Sequence, residues 1–501
     1  MNSLGRNTLI ACAVASALGT TSAFAVSKGT APGGTVYAGG GSAQANAFFV
    51  AACKLFTPGT VDMYSDAGVG TLSGDMYILY GTLAAAYGGD AAGTNVAMFY
   101  KFNGGSFTNG VAPNTSSPTQ LPFPTDAVWR GAATGSGGGT SCASGLPTYS
   151  YAAGATANQS TLFGLADVET AMFKGYNNPT GNAGGSAPNT DGGPAPSVVF
   201  ADGIYDNLFG IAVTDCVYTG ATQTGQPACP NAGQKKTSFT RAEVEGILAG
   251  SISDWSQLYD DAGHQLPAGG ITFSDRGEGS GTKASGNQYF LGYPGDGASS
   301  QLPYSASGGY CGTSLTACDP TFVEQPQDIA TSSTNNVIAD LKLAQSKGIR
   351  AIGILGLENP PAKNQVAGVN QYDFAKINGV AVDPNGSGGD NINGTGNTAY
   401  ANVINGNYDF FFQNSFNAKG TPAAGSYQNA FLTFMQQASF VGCSSGGAFP
   451  AALPGTLIDA DKAAALAKGV TTDSRQKIST APLQPVFLAT AAGIPACADP
   501  L

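Results

Sequence analysis

The segment ITFSDRGEGSGT, residues 271–282, joins an apolar strand to a glycine-rich turn, and a helix-compatible stretch follows it. Small residues in such a turn let the backbone approach a ligand closely, and the first N–H groups of the next helix have no partner inside the helix. Ser280 and Thr282 add hydroxyl donors, and Arg276 adds a planar guanidinium suited to oxyanions. The segment therefore predicts an anion-binding turn. A glycine turn with a purely structural role is the alternative.

Several common chemistries fit this sequence poorly. A nucleotide-binding P-loop ends in Gly-Lys-Ser/Thr, whereas Lys283 here follows Thr282 directly. His264 is the only histidine, which argues against the usual Ser-His-Asp and Cys-His arrangements and against multi-histidine metal sites. We expect His264 to be a solvated loop residue. Asp and Glu total 32, but no motif places two of them in a context that indicates a catalytic pair. The sequence thus indicates no metal, no cofactor and no enzymatic activity.

Strand-like and helix-like segments alternate along the chain, which indicates an α/β fold with mostly parallel sheets. Residues 35–38 predict a strand that runs into a glycine turn, and residues 43–55 predict the helix after it. Residues 207–213 and 350–355 are apolar runs typical of strands buried on both faces. Thr240 and Glu243 form a capping-box pattern, which predicts a helix that starts between them.

Glycine-, asparagine- and proline-rich stretches interrupt this alternation at residues 131–146, 176–197 and 383–397. They lack an apolar period, so we expect surface loops or insertions. The last stretch has one unit that resembles a calcium-binding glycine-aspartate repeat, and a calcium loop is therefore the alternative there.

Residues 1–25 have the pattern of a cleaved signal peptide. A single positive charge at Arg6 precedes a short apolar run, and Ala23-Phe24-Ala25 is a small-x-small cleavage site. The mature chain is expected to start near Val26 and to be periplasmic or secreted. A lipid-attachment site at Cys12 is the alternative, although the apolar run before Cys12 is short and continues past it. No later segment offers the roughly 18 apolar residues that span a bilayer.

Eight of the nine cysteines would remain after signal cleavage, and an even number in an exported chain favours disulfides over metal binding. Neighbouring positions favour Cys216 with Cys229 and Cys311 with Cys318, each closing a short loop, and Cys443 with Cys497 would tie down the C-terminal tail. Cys53 and Cys142 are then the remaining pair. Eight cysteines allow about 105 connectivities, and some of them remaining as free buried thiols is the alternative.

Charged residues make up 11% of the chain, less than half of the share of about 25% in typical domains. Apolar residues at 42% are nevertheless enough for sizeable cores, and the length indicates two or three core units. The net charge of −11 argues against nucleic acid or an anionic membrane as partner, because both attract basic patches. A small anion remains compatible, since a buried site depends on local dipoles.

Residues 240–255, followed by residues 271–282, resemble the second lobe of the phosphate-binding proteins that serve ABC phosphate transporters. In that family a helix ending in a glycine turn and an Asp/Asn-Trp pair precedes the strand that delivers an Arg-x-acid-Gly-Ser-Gly-Thr turn. Residues 348–356 resemble its Gly-Ala-Ile-Gly strand, and residues 403–408 resemble its returning strand. The resemblance covers most of the mature chain, with insertions, and the arginine turn is its distinctive part.

In the second lobe the resemblance implies that the anion is contacted by Arg276, Ser280, Gly281 and Thr282. It also implies that Glu278 is the acid that holds Arg276 in place.

The first lobe is more divergent. Residues 39–42 stand where the family has its first ligand loop, and its threonine falls at Ala43, so a hydroxyl there either comes from Ser42 or is absent. Ser106, in a glycine turn after the strand-like residues 96–100, is the best counterpart of the middle serine.

Asp167 matches the ligand aspartate of the family, in a stretch, residues 163–168, that resembles the family's own. A carboxylate in a closed anion site repels a guest that has no proton to donate, so this acid would accept monohydrogen phosphate and reject sulfate. A turn or helix-capping role for Asp167 is the alternative.

Together these features predict a type II periplasmic-binding-protein fold of two α/β lobes, with mixed sheets flanked by helices and the ligand cleft between the lobes. Lobe 1 is expected at residues 26–212 and 401–501, and lobe 2 at residues 213–400. The predicted function is capture of inorganic phosphate by a monomer that hands it to a membrane ABC permease. One rival is a secreted or surface adhesion or scaffold protein of the same fold with a degenerate site, and a phosphate-ester hydrolase is the weakest.

Overall fold

A computed structural model describes residues 26–70, 74–178, 198–294, 327–331, 333–357, 361–381 and 407–436, together with residues 359, 402, 456 and 457. The predicted signal segment, the cysteines Cys311, Cys318, Cys443 and Cys497, and residues 383–397 lie outside the described residues. The fold is mixed α/β, as predicted, with one large mixed sheet flanked by helices.

The described strands, in chain order, are β1 (Gly34–Gly40), β2 (Asp62–Ser65), β3 (Met76–Thr82), β4 (Asn95–Lys101), β5 (Leu121–Pro124), β6 (Thr134–Gly135), β7 (Tyr149–Ser150), β8 (Thr156–Gln159), β9 (Phe163–Ala166), β10 (Phe200–Thr214), β11 (Ser238–Phe239), β12 (Thr272–Arg276), β13 (Gln327–Thr331), β14 (Ala351–Gly356), β15 (Tyr372–Ile377), β16 (Phe411–Ala418) and β17 (Thr456–Leu457). The described α-helices are α1 (Ala45–Leu55), α2 (Ser141–Ser144), α3 (Asp215–Thr219), α4 (Arg241–Leu248), α5 (Gly281–Leu291), α6 (Thr334–Ser346) and α7 (Tyr427–Met435).

The sheet runs in the order β13-β12-β14-β10-β16-β9-β1-β4-β3-β2-β7-β6, and β10 is the strand at which it divides. The first half of β10, through Leu208, pairs with β16, whereas the second half, from Phe209, pairs with β14 and β15. We call the described residues in 26–208 and 411–436 lobe 1 and those in 209–381 lobe 2. Two strands, β10 and β16, therefore lie where the lobes join.

Parallel pairing brings the carboxyl ends of several strands to one edge in each lobe. In lobe 1, β1 pairs in parallel with β4 and β9. In lobe 2, β12 pairs in parallel with β13 and β14, with Arg276 opposite Thr331. Ligands of open α/β sheets bind outside the carboxyl ends of such strands, so this topology fixes where a site can form.

Three clusters of buried apolar side chains form the described core. Two of them belong to lobe 1, and the third fills lobe 2. The third cluster also includes apolar residues from the loops of lobe 1, among them Phe107, Val168 and Phe173. The rings of Phe107 and Phe173 lie 5.6 Å apart. The loops that follow the strands of lobe 1 are therefore anchored partly in the core of lobe 2.

Local sequence signals agree with most element boundaries. The capping box of Thr240 and Glu243 is present at the start of α4, with both hydrogen bonds formed. The first helix begins at Ala45 and not at residue 43, because a single 3₁₀ turn, Ser42–Gln44, precedes it. Among the described residues, no helix combines the length and apolar character needed to cross a bilayer.

The structure describes the cysteines of two of the predicted disulfides, and both bonds are present. Cys53 is bonded to Cys142, which ties α1 to α2, and Cys216 is bonded to Cys229, which closes a short loop after α3. The first of these bonds spans 89 residues of lobe 1 and therefore restricts the unfolded chain over a long loop.

Candidate anion-binding site

Lobe 1 contributes a buried carboxylate and a buried hydroxyl. Asp167 follows β9 directly and is only 3% exposed. Its Oδ1 accepts a hydrogen bond from Gln44 Nε2 at 3.0 Å, and its backbone N–H donates to Ser106 Oγ at 3.3 Å. Both partners lie in the loops after β1 and β4, so the parallel pairing of these strands assembles the group.

Lobe 2 contributes a guanidinium that is 4% exposed. Arg276 is the last residue of β12, and its Nη1 donates to Thr334 Oγ1 at 2.7 Å. Its backbone N–H donates to Oδ1 of Asp275 at 2.7 Å, and Asp275 forms a buried ion pair with Lys283 of α5. The hydrogen bond to Thr334 therefore holds the side chain of Arg276 in one orientation at the end of its strand.

The amino end of α5 faces the same place. Ser280 caps this helix, and its Oγ accepts from the backbone N–H of Lys283 at 3.4 Å. Gly281 and Thr282 form the first turn, where backbone N–H groups have no acceptor within the helix and the helix dipole attracts negative charge. All residues of α5 are buried, so these donors act in a region of low dielectric constant.

Two glycines allow the elements to meet. A β-carbon at Gly281 would lie 2.6 Å from Cβ of Asp167 and 2.9 Å from Oγ of Ser106, and a β-carbon at Gly41 would collide with the same two side chains. The first turn of α5 in lobe 2 therefore lies directly against the carboxylate of lobe 1. Only glycine permits this approach, which explains the glycines in both turns.

Further hydrogen bonds join the lobes beside this contact. Ser42 Oγ lies 3.1 Å from Thr334 Oγ1. The backbone N–H of Phe107 donates to the carbonyl of Gly279 at 2.9 Å, and the N–H of Gly279 donates to the carbonyl of Asn177 at 3.0 Å. The side chain of Asn177 also accepts from Asn287 Nδ2 at 2.8 Å. The arginine turn is thus held to lobe 1 on both sides.

The structure brings together most of the site residues predicted from the sequence. Ser42, Ser106, Asp167, Arg276, Ser280 and Gly281 lie in one connected group, through the contacts given above. Thr282 is buried in the first turn of α5, and Ala43 is partly exposed between Ser42 and Gln44. Glu278 is exposed in the turn, and its predicted role in holding Arg276 stays a prediction.

Sequence reasoning missed three residues of this group: Gln44, Asn177 and Thr334. Gln44 lies one residue past the predicted ligand loop, and Thr334 begins a helix whose cap, Ser333, is a recognisable local signal. Asn177 gives no such signal. Outside the site, the side chain of His264 is 72% exposed, as expected, and its Nδ1 lies 3.3 Å from Asp260 Oδ2. The described residues contain no cluster of side chains placed to hold a metal ion.

Burial raises the pKa of Asp167, and hydrogen bonds from Gln44 and Ser106, with the nearby charge of Arg276, oppose this shift only in part. The carboxyl group therefore binds a proton more strongly than an exposed aspartate does. While it is ionised, it can accept a hydrogen bond from a protonated guest beside it, and once protonated it can donate one instead.

Glu169, two residues after Asp167, is a partly buried residue whose Oε2 is enclosed by the protein. Burial raises its pKa to about 7, and among the described residues its Oε2 has no hydrogen-bond partner. Because the folded chain binds this proton more tightly than the unfolded chain, the free energy of unfolding should fall as the pH rises from the ordinary glutamate pKa of about 4.3 toward 7.

We therefore expect Glu169→Gln to raise the free energy of unfolding by about 2 kcal/mol at pH 8 and to change it little at pH 4, where the carboxyl group is protonated in both states. Urea denaturation at both pH values measures this. Glu245→Gln, at a partly exposed position of α4, is the control and should keep the pH dependence of the wild type. If the free energy of unfolding depended equally on pH in the wild type and in Glu169→Gln, the raised pKa would not belong to Glu169.

Comparisons with known proteins give one kind of match. No family model matches the chain, and no curated protein sequence matches it. Several solved structures match, and they include phosphate-binding proteins.

One is a protein from Clostridium perfringens assigned as a phosphate ABC transporter substrate-binding protein, with bound phosphate; it is 15% identical, with a TM-score of 0.27, over 48% of this chain and 68% of that protein. PstS from Borrelia burgdorferi is 15% identical, with a TM-score of 0.25, over 47% and 66% of the two chains. A phosphate-binding protein from Stenotrophomonas maltophilia is 15% identical, with a TM-score of 0.26, over 52% and 65%.

The match thus spans about two thirds of the length of these proteins. They are phosphate-binding proteins, as are the proteins that the segment around Arg276 resembles in sequence. At TM-scores this low the likeness does not bear on the ligand, which has to be argued from the geometry of the site.

Proposed function

We propose that this protein is an exported solute-binding protein that captures inorganic phosphate, or a similar protonated tetrahedral oxyanion, between its two lobes. The observation that carries this proposal is the meeting of Arg276 and the amino end of α5 from lobe 2 with Ser106 and Asp167 from lobe 1. The cationic and N–H groups supply donors for oxyanion oxygens, and the buried carboxylate supplies one acceptor.

This combination favours a guest that has both oxygen acceptors and a proton. Monohydrogen phosphate and arsenate meet both conditions, whereas sulfate has no proton for Asp167 to accept. Leaving two buried acceptors face to face is costly, which gives the site its selectivity.

Reversible capture requires the lobes to separate. We propose that they do so about β10 and β16, the two strands at which the lobes join, by the hinge closure known for two-lobed binding proteins. The bounds expected from the sequence, residues 26–212 with 401–501 for lobe 1 and residues 213–400 for lobe 2, put the crossing a few residues further along β10 and stay a prediction. The signal-peptide pattern of residues 1–25 supports export to the periplasm or beyond. We infer that the protein is a monomer and that it delivers its ion to an ABC phosphate permease.

Titration calorimetry with phosphate, arsenate and sulfate on thoroughly dialysed protein tests this function. Binding of phosphate and arsenate without binding of sulfate is the expected result. Absence of binding to all three would favour a scaffold protein with a degenerate site, and turnover of a model phosphate ester would favour a hydrolase.

A further inference from the structure

The hydroxyl of Thr334 connects the two lobes at the site. It accepts a hydrogen bond from Arg276 Nη1 at 2.7 Å and lies 3.1 Å from Ser42 Oγ. Arg276 and Thr334 belong to lobe 2, whereas Ser42 belongs to the first loop of lobe 1. One side chain, separated from Ser42 by 292 positions in the sequence, thus contacts two groups that the proposed function assigns to the anion.

Thr334 is held firmly to the arginine turn by its own lobe. It is the first residue of α6, and Ser333 caps that helix by accepting from the N–H of Asn336 at 3.2 Å. Just before it, Thr331 pairs with Arg276 across β12 and β13, accepts from the N–H of Gly277 at 2.6 Å and donates to the carbonyl of Asp275 at 3.0 Å. Separation of the lobes would leave the contact between Thr334 and Arg276 intact and would break only the contact with Ser42.

A hydroxyl group carries a single proton. Because Thr334 accepts from Arg276, its own proton is available for the contact with Ser42, in which either hydroxyl can be the donor. We propose that Thr334 is a positioning residue for anion capture: its hydroxyl fixes the guanidinium of Arg276 and latches lobe 2 to Ser42 when the lobes close. This inference rests on the proposed function, and it adds that the latch sets how long the anion stays bound.

The kinetic test compares Thr334→Val, which keeps the shape but removes the hydroxyl, with Thr334→Ser, which keeps the hydroxyl. Stopped-flow measurements with inorganic phosphate should show a dissociation rate about 10-fold faster in Thr334→Val, with an association rate within about 3-fold of wild type, because losing a hydrogen bond to a charged group acts mainly on dissociation. Thr334→Ser should restore most of the loss. In the double variant with Ser42→Ala, the two effects should combine to less than their product, because both substitutions break one contact. Fully multiplicative effects would overturn the latch.

A second measurement needs no ligand. The N–H of Phe107 donates to Gly279 across the lobes, so its hydrogen exchange reports on closure. We expect faster exchange in peptides containing Phe107 in both Thr334→Val and Ser42→Ala, and wild-type exchange in Thr334→Ser. Equal exchange in wild type and both hydroxyl-deletion variants would overturn the latch. Absence of phosphate binding by the wild-type protein would instead overturn the proposed function. If Thr334→Val fails to fold, Ser42→Ala still tests the latch.

Discussion

Asp167→Asn is expected to bind sulfate, which the proposed site of the wild-type protein excludes. The amide oxygen can still accept from Gln44 Nε2, as Oδ1 does now at 3.0 Å, while the new NH₂ group presents a donor in place of a second acceptor. Sites built around one substrate proton discriminate by factors on the order of 10⁴, so the ratio of phosphate to sulfate affinity should fall at least about 100-fold. Calorimetric titration of both anions into both proteins measures the ratio.

Asp62→Asn is a matched control. Asp62 is also a fully buried aspartate of lobe 1, but its Oδ1 accepts from the backbone N–H groups of Gly138 and Gly139, both at 3.1 Å, and from Thr148 Oγ1 at 2.9 Å. We expect this variant to lose stability and to keep the anion selectivity of wild type. Unchanged selectivity in Asp167→Asn would remove Asp167 from the site.

The same reasoning predicts a pH dependence of selectivity. Burial raises the pKa of Asp167, so its carboxyl group takes up a proton at a higher pH than an exposed aspartate would. Once protonated, it can donate to a sulfate oxygen. Sulfate affinity of the wild type should therefore increase as the pH falls through the pKa of Asp167, whereas Asp167→Asn should lack this component.

Local signals in the sequence account for the elements that carry the site. The pattern of Thr240 and Glu243 predicts a helix, and α4 begins between them. The strand, glycine turn and helix around Arg276 are also as predicted, because Ser280 is a strong cap and residues 271–273, Ile-Thr-Phe, all favour strands.

The pattern of apolar residues predicts too short a strand where the lobes join. The apolar run at residues 207–213 predicts a strand, but β10 extends from Phe200 to Thr214. Asp202, Gly203 and residues 206–207 interrupt its first half, and the register with β16 shifts between Gly203 and Asp206, so no regular alternation of apolar residues is visible there. A strand stabilised by both neighbours tolerates residues that a local pattern would assign to a loop.

The residues missed at the site share one cause: their partners are distant in sequence. Gln44 meets Asp167 across 123 positions, and Asn287 meets Asn177 across 110. Such contacts depend on which strands end at the same edge of the sheet, which hydrophobic periodicity does not encode. Ser106 and Asp167 could be anticipated only because the resemblance to a known family supplied the order of the loops.

Arg276→Ala is expected to remove most of the phosphate affinity. The guanidinium is a buried cationic group at the site, and a charged hydrogen bond contributes about 1.5–3 kcal/mol, so its loss should weaken binding at least about 10-fold. Arg276→Lys keeps the charge but loses the planar guanidinium that matches two oxyanion oxygens. Its phosphate affinity should therefore lie between those of the wild type and Arg276→Ala. Arg130→Ala is the control: the guanidinium of Arg130 pairs with the exposed side chain of Asp126 in lobe 1, so this substitution should leave phosphate affinity unchanged.

The effect of Arg276→Ala on folding should be small compared with its effect on binding. Burying a guanidinium carries a desolvation penalty, so its removal offsets the loss of the hydrogen bond to Thr334. Urea denaturation without ligand should therefore give similar free energies of unfolding for wild type and variant, while phosphate should stabilise only the wild type. Equal stabilisation of both proteins by phosphate would place the anion away from Arg276 and would reject the site proposed for lobe 2.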